Sequence, residues 1–220
     1  MEQELKYAIP SKETADRIWN EMSVSEPADS DSAETLVMKA VYFDTEDGIL
    51  SNNNVTFRVR AEGENAFATL KWGGSSSGGF HERQEINVPV SGETCFIQPP
   101  TDLFKASVEG MQLMQLLGDK PLVNTLEMRF LRRRVKLHYS GSVMELAVDS
   151  GSIITDKGEV PILEAEIELY AGNEKDVLTV GEHIAETYGL VPEDRSKFAR
   201  GITFLRGEGS GDYGLWFDEE

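Results

Sequence analysis

Polar and apolar residues alternate along much of this chain in short runs, and a period of two is the signature of a strand whose successive side chains face opposite sides. The runs fall at about residues 1–8, 36–44, 55–61, 66–72, 82–88, 128–139, 143–149 and 162–170, each bounded by turn residues. Eight such pieces predict eight strands, a number that suits closure into a barrel. Residues 61–66 and 140–142 read as hairpin connections. The Gly/Ser stretch 73–79 reads as a flexible hairpin loop, because a phosphate-cradling loop needs a following Gly-Lys-Ser/Thr that opens a helix, and Phe80-His81-Glu82-Arg83 follows instead.

The period lengthens in three places. Ser11 can cap a helix running to about Met22, with Glu13 and Asp16 in its early turns, where negative charge suits the helix dipole. Asn173 opens a second helix with Val177, Val180, Gly181, Ile184 and Tyr188 on one face and Gly189 as its stop. A third is expected over 102–117, with Leu103, Met111, Met114 and Leu117 as apolar positions. No repeat or heptad run is present.

The alternation is unusual in what its polar face carries. Arg58 and Arg60 share a face against Phe57 and Val59, and Glu145 and Asp149 share one against Leu146 and Val148. Glu164, Glu166 and Glu168 line one side of a strand whose other side is Leu163, Ala165, Ile167 and Leu169, and Glu2, Glu4 and Lys6 share a face at the start of the chain. A single strand of this kind reads as a solvated sheet face. Several together read otherwise, since rows of carboxylates repel unless cations compensate them, and neighbouring strands carry clustered Arg and Lys. The expected arrangement is a barrel with the charged faces inward and the apolar faces outward beneath the helices. Convergent carboxylates suit a hard cation such as Mg²⁺ or Mn²⁺, and guanidinium and ammonium groups suit phosphate oxygens.

Composition narrows the picture. The 220 residues suit one domain, and no apolar run is long enough for a membrane helix. A net charge of -18 argues against nonspecific nucleic-acid or anionic-membrane binding, yet leaves room for a small anion among the clustered cations. Cys95 is the only cysteine, and the first residues lack the pattern of a secretory signal, so a cytoplasmic setting is expected. The stretch 206–220, Gly-rich and acidic, reads as a solvated tail in which Tyr213, Leu215, Trp216 and Phe217 leave room for a docking role. His81, His138 and His183 lack metal-site spacing, Cys95 has no evident base partner, and Trp19 and Trp72 read as packing anchors. Tyr42 and Asp44 are expected to serve folding as much as chemistry.

Glu2-x-Glu4-x-Lys6 resembles the ExExK signature of the CYTH domain, the triphosphate tunnel metalloenzymes. Tyr42-Phe43-Asp44-Thr45, Phe57-Arg58-Val59-Arg60, Thr69-Leu70-Lys71, Arg83-x-Glu85, Arg132 to Arg134, Asp149-x-Gly151, Glu166-Ile167-Glu168, Ser196-Lys197 and Arg200-Gly201 support the resemblance in order, over residues 1–205. It implies an α+β, mainly β fold: a closed eight-stranded antiparallel β-barrel, or tunnel, with helices packed outside. It further implies metal ligands at Glu2, Glu4, Asp149, Glu166 and Glu168. Phosphate ligands are implied at Lys6, Arg58, Arg60, Lys71, Arg134, Lys197 and Arg200. Glu164 competes for one of the acid positions and Arg132 competes with Arg134, while Glu85 is expected to position an Arg or Lys.

The implied reaction is metal-dependent hydrolysis of a triphosphate, first of all inorganic tripolyphosphate to diphosphate and phosphate. Lys71, Glu4 and Glu168 are its catalytic candidates, with one metal on the phosphate oxygens and another at the attacking water. The acceptor of the water proton is left open between Lys71 and a metal-held hydroxide. Thiamine triphosphatase, class IV adenylyl cyclase and a non-catalytic polyphosphate-binding module are the alternatives. The partner is thus inorganic triphosphate or a small molecule bearing one, and the assembly state is left open, a homodimer included.

Overall fold

The computed structural model describes residues 2–207. Met1 and the tail residues Tyr213, Leu215, Trp216 and Phe217 lie outside the described residues. Strand β1 (Glu2–Ala8) leads through helix α1 (Lys12–Met22) to the long β2 (Ala28–Asp44). One helical turn, α2 (Ile49–Asn52), precedes the hairpin-linked β3 (Val55–Glu62), β4 (Asn65–Ser77) and β5 (Phe80–Val90). Two 3₁₀ turns (Glu93–Phe96 and Thr101–Phe104) and α3 (Val108–Leu117) cross to the meander β6 (Val123–Tyr139), β7 (Ser142–Thr155) and β8 (Gly158–Ala171). Helix α4 (Glu174–Tyr188), the two-residue β9 (Val191–Pro192) and α5 (Lys197–Arg206) follow.

All pairings are antiparallel. The order β5-β4-β3-β2-β6-β7-β8-β1 closes on itself because Glu2 to Leu5 of β1 pair with Phe80 to Arg83 of β5. The same edge of β1 continues with β9, which pairs Tyr7 and Ala8. The eight expected strands are therefore the eight barrel strands, most of them longer than the alternation alone marked.

Register decides which side chains share a face. Arg58 lies opposite Tyr42 and Thr69, Lys71 opposite Glu85, Arg132 opposite Asp149, and Glu168 opposite both Glu145 and Glu4. Partners in an antiparallel pair point to the same side, so these charged rows meet inside the barrel. The odd-numbered neighbours Leu5, Tyr7, Ala165 and Ile167 face outward and pack, with Leu146 and Val148, against α1 and α4. Ile18 and Ile184 are fully buried there, each side chain contributing about 1.5–3 kcal/mol relative to exposure. A second outer cluster joins Phe43, Phe57, Val59 and Leu70 to α2, α3 and Phe104.

The helices follow local chemistry. Ser11 Oγ accepts from the amide of Thr14 at 3.2 Å, and α1 runs to Met22. Asn173 caps α4, Gly189 ends it in the left-handed conformation, and the buried face is Val177, Val180, Gly181, Ile184 and Tyr188. The third helix differs from the expectation. Its first part is a 3₁₀ turn, the α-helix restarts at Val108 under a Ser107 cap, and Leu103 and Met111 are exposed while Phe104, Leu113 and Leu117 are buried. Residues 73–79 are also a correction: β4 continues through Ser77, and only Gly78-Gly79 turns. The glycines act instead at a bulge, where the pairing steps from Trp72–Gln84 to Ser75–Glu82. At Gly74, φ is +95° and a Cβ would stand 2.0 Å from the Glu82 carbonyl oxygen, so glycine is required there.

Not every apolar group faces outward. Met38, Leu126, Met128, Ile153, Val160 and Ile162 form a third cluster with Phe198, Ile202 and Phe204 of α5. Met128 pairs with Ala40, whose other partner is Arg60, so this cluster lies on the charged face, at one end of the barrel. Helix α5, absent from the alternation-based picture, plugs that end. A Cβ on Gly201 would stand 2.5 Å from Leu126 Cδ2 and 3.0 Å from Ile153 Cγ2, so glycine sets how closely the plug seats.

Candidate active site

The barrel encloses a cavity of about 250 Å³. Of the residues singled out in the sequence, Glu2, Glu4, Lys6, Arg58, Arg60, Lys71, Arg132, Arg134, Glu166, Glu168 and Lys197 line it. Asp149, Glu164 and Arg200 do not; they lie deeper in the barrel, beneath Arg132 and Lys197, with Arg200 on Glu164. The cavity divides into three regions by charge.

The first region is cationic. Arg58 and Arg60 project from β3, and the Nε of each is buried with no hydrogen-bond partner. Arg58 Nη1 donates to Tyr42 Oη at 3.1 Å, and Arg60 meets Glu62. Burial and the adjacent Arg58 guanidinium, offset in part by Glu62, pull Arg60 down to about 10. The Arg83 side chain, from β5, makes no ion pair or hydrogen bond among the described residues and faces the same cavity. Like-charged groups held together, with buried donors that no protein acceptor meets, describe a place for an anion.

The second region is anionic and under-compensated. Glu145, Glu168 and Glu4 stand side by side on β7, β8 and β1, with Glu2 next along β1. Lys71 donates to both oxygens of Glu2, at 2.7 and 2.6 Å, and lies 3.1 Å from Glu85. Lys6 lies 3.1 Å from Glu4, and Glu145 accepts from Tyr170 Oη at 2.7 Å. The Glu168 carboxylate has no hydrogen bond or ion pair among the described residues. Burial, and then the charges of Glu2 and Glu4, push its carboxyl up to about 8. A cation placed among Glu2, Glu4 and Glu168 would relieve that repulsion.

The third region is anionic and neutralised. Oxygens of Asp149, Glu164 and Glu166 lie within 4.8 Å of one another. Arg132 holds Asp149 through two bonds of 2.8 and 2.7 Å and reaches Glu166 at 2.5 Å. Lys197 Nζ lies 2.8 Å from both Asp149 and Glu166 and also contacts Glu164, which Arg200 meets as well. Burial alone would raise Glu166, but Lys197, Lys6 and Arg132 hold it well below the usual carboxylate range. Ser196 positions these cations: its Oγ accepts from the Ala199 amide at 3.1 Å and starts α5 with Lys197 as the first helical residue.

The competing sequence candidates separate by position. Arg132 sits deep against Asp149 and Glu166, whereas Arg134 bonds Glu34 at 2.7 Å and lies 3.6 Å from Glu145. Glu164 lies in the neutralised region and Glu168 in the under-compensated one. Glu85 meets Lys71, as expected of a positioning residue. Asp44 is structural: its carboxylate accepts from the amides of Thr45, Leu50 and Ser51 at 2.8–2.9 Å and ties α2 to the end of β2. Tyr42 lines the cavity and stacks on Phe198 at 5.0 Å between centroids.

His81 and Tyr170 are wall residues that nothing in the sequence motifs assigns to the site, and Arg83, known there only as part of the Arg83-x-Glu85 motif, joins them. Strand parity carried the signal, since Tyr170 is two positions from Glu168 and His81 and Arg83 alternate with Glu85. The spacing of His81 to the other histidines carries no signal of this place, where its ring meets the Glu193 carbonyl at 2.9 Å.

An inorganic triphosphatase of Haemophilus influenzae is 29% identical over 168 residues, covering 76% of this chain and 46% of that protein. The chain thus spans about half the length of the curated relative it matches. Among solved structures, a Hippeastrum protein described as a candidate adenylyl cyclase with a dominant triphosphatase activity has a TM-score of 0.67 at 19% identity, over 96% of this chain and 98% of that one. A Bacillus halodurans protein described as a candidate adenylate cyclase has a TM-score of 0.55 at 22% identity, over 91% and 98%. At these identities the likeness is one of fold. No described helix is long and apolar enough to cross a membrane. The family model for the CYTH domain matches residues 1–202, from β1 into the plug helix, and the chain belongs to the CYTH domain family.

Proposed function

We propose that this protein hydrolyses a triphosphate with the help of a divalent metal, and that inorganic tripolyphosphate, cleaved to diphosphate and phosphate, is its foremost substrate. The observation that carries the proposal is the opposition of two unmet demands in one cavity. The buried Nε groups of Arg58 and Arg60 lack acceptors, and in the same cavity the Glu168 carboxylate makes no ion pair among the described residues. A triphosphate together with a hard divalent ion satisfies both.

In this reading Arg58, Arg60 and Arg83 bind phosphate oxygens through charge-assisted hydrogen bonds and fix the chain of phosphates along the barrel. Glu2, Glu4 and Glu168 would hold Mg²⁺ or Mn²⁺, and the chemistry supplied there is neutralisation of phosphate charge during in-line displacement. Lys71 orients Glu2 through its two contacts and adds positive charge to the wall. A proton-accepting part for Lys71 would require it to give up carboxylate contacts that the geometry provides. Lys6 holds Glu4 in place and touches Glu166 at 3.3 Å. The inorganic substrate is favoured because the cavity lining is mostly charged and Tyr42 and Phe198, two of its aromatic residues, stack on each other. The single buried Cys95 and the acidic surface fit work in the cytoplasm.

The test is phosphate release from tripolyphosphate, ATP and thiamine triphosphate, each with Mg²⁺, with Mn²⁺ and with chelator. Fast release from tripolyphosphate that chelator abolishes is the expected result. Tight triphosphate binding with no release from any of the three would make the protein a binding module instead.

A further inference from the structure

The two acidic regions of the barrel differ in one respect: one is short of cations, and the other contains its own. Asp149, Glu164 and Glu166 are close enough to ligate a single ion. The position central to them is taken by Lys197 Nζ, at 2.8 Å from Asp149 and from Glu166 and touching Glu164. Arg132 and Arg200 complete the neutralisation, and Lys6 also reaches Glu166 at 3.3 Å, so the three acids meet four cations. Lys197 is 8% exposed and is delivered by the first turn of the plug helix, whose seating is fixed by Gly201 against Leu126 and Ile153. Its ammonium is thus built into the fold and not borrowed from solvent.

We infer that Lys197 is a built-in substitute for a second metal, so that the barrel binds one divalent ion per chain and the cluster of Asp149, Glu164 and Glu166 stays metal-free. This inference rests on the reading that Glu2, Glu4 and Glu168 hold a metal. It makes Lys197 a positioning residue that sets metal stoichiometry, and through Glu166 it anchors the wall beside the metal site. An ammonium supplies one positive charge and up to three directed donors, matching three converging oxygens. A divalent ion would have to expel it into a site already balanced, at the expense of burying an unpaired ammonium.

The experiment is Mn²⁺ binding followed by electron paramagnetic resonance on the folded protein without substrate, for the wild type, Lys197→Met, Lys197→Arg and Glu168→Gln, with folding checked by thermal melts. The expected counts are one Mn²⁺ for the wild type and for Lys197→Arg, a second Mn²⁺ gained by Lys197→Met, and loss of the first in Glu168→Gln. Two Mn²⁺ in the wild type would overturn the inference, whatever the variants do. So would a folded Lys197→Met that still binds only one. No Mn²⁺ in the wild type would remove the metal reading itself, a result distinct from a miscounted site.

Discussion

At the residue scale, the same charge has opposite meanings depending on its partners. Arg60 and Arg132 are both buried arginines of the barrel wall, yet Arg132 is saturated by Asp149 and Glu166 while Arg60 keeps a donor unmet. Arg60→Ala is therefore expected to raise KM for tripolyphosphate by about 10- to 100-fold, the worth of a charge-assisted hydrogen bond or two, with a smaller change in kcat. Steady-state kinetics check this, and an unchanged KM would remove Arg60 from the substrate contacts. Asp44 is the contrasting case. Asp44→Asn replaces one acceptor oxygen with a donor facing backbone amides, and is expected to lower stability by about 1–3 kcal/mol while leaving activity per folded molecule intact. A thermal melt beside a specific-activity measurement separates these outcomes. Parity along each strand made most wall residues legible in the sequence, because in and out alternate between one bulge and the next. What parity cannot give is the partner across the barrel. For that reason Glu164, Glu166 and Glu168 were indistinguishable in sequence, although the fold sends two of them to Lys197 and leaves the third without a cation.

At the scale of elements, the strands, α1 and α4 were legible because each has one apolar side and ends marked by Ser11, Asn173 or Gly189. Helix α5 was not, for a physical reason. It seats inside the rim of a charged barrel, so its buried positions include Lys197 and Arg200 beside Gly201, and no purely apolar stripe remains for a helical period to reveal. Its N-cap, Ser196, was the available signal. The Gly/Ser stretch misled in the other direction, since bulge glycines look like loop glycines until the pairing of β4 with β5 is known. The plug gives a prediction at this scale. Gly201→Val forces bulk against Leu126 and Ile153, and overpacking of this kind costs about 1–3 kcal/mol. Displacement of α5 also draws Lys197 and Arg200 from their carboxylates, so thermal stability and triphosphate affinity should fall together, as a melt and an equilibrium titration would read. A loss of stability alone would mean that the plug does not set the geometry of the cavity.

For the whole molecule, the inversion of polarity organises everything else. A barrel that turns charge inward has an apolar exterior, and α1 to α4 exist to cover it; the interior in turn must balance its charges without water in bulk. Arg, Lys, Asp and Glu do this at one end of the cavity and leave it undone at the other. On the proposed reading, that imbalance, more than the overall charge of -18, is what would suit the protein to a small anion carrying its own metal. The measurement that tests this most directly is a crystal structure with tripolyphosphate and Mn²⁺, the metal located by its anomalous scattering. The account predicts phosphate oxygens on Arg58 and Arg60 and a metal peak among Glu2, Glu4 and Glu168. A peak among Asp149, Glu164 and Glu166, or an anion bound outside the barrel, would contradict it.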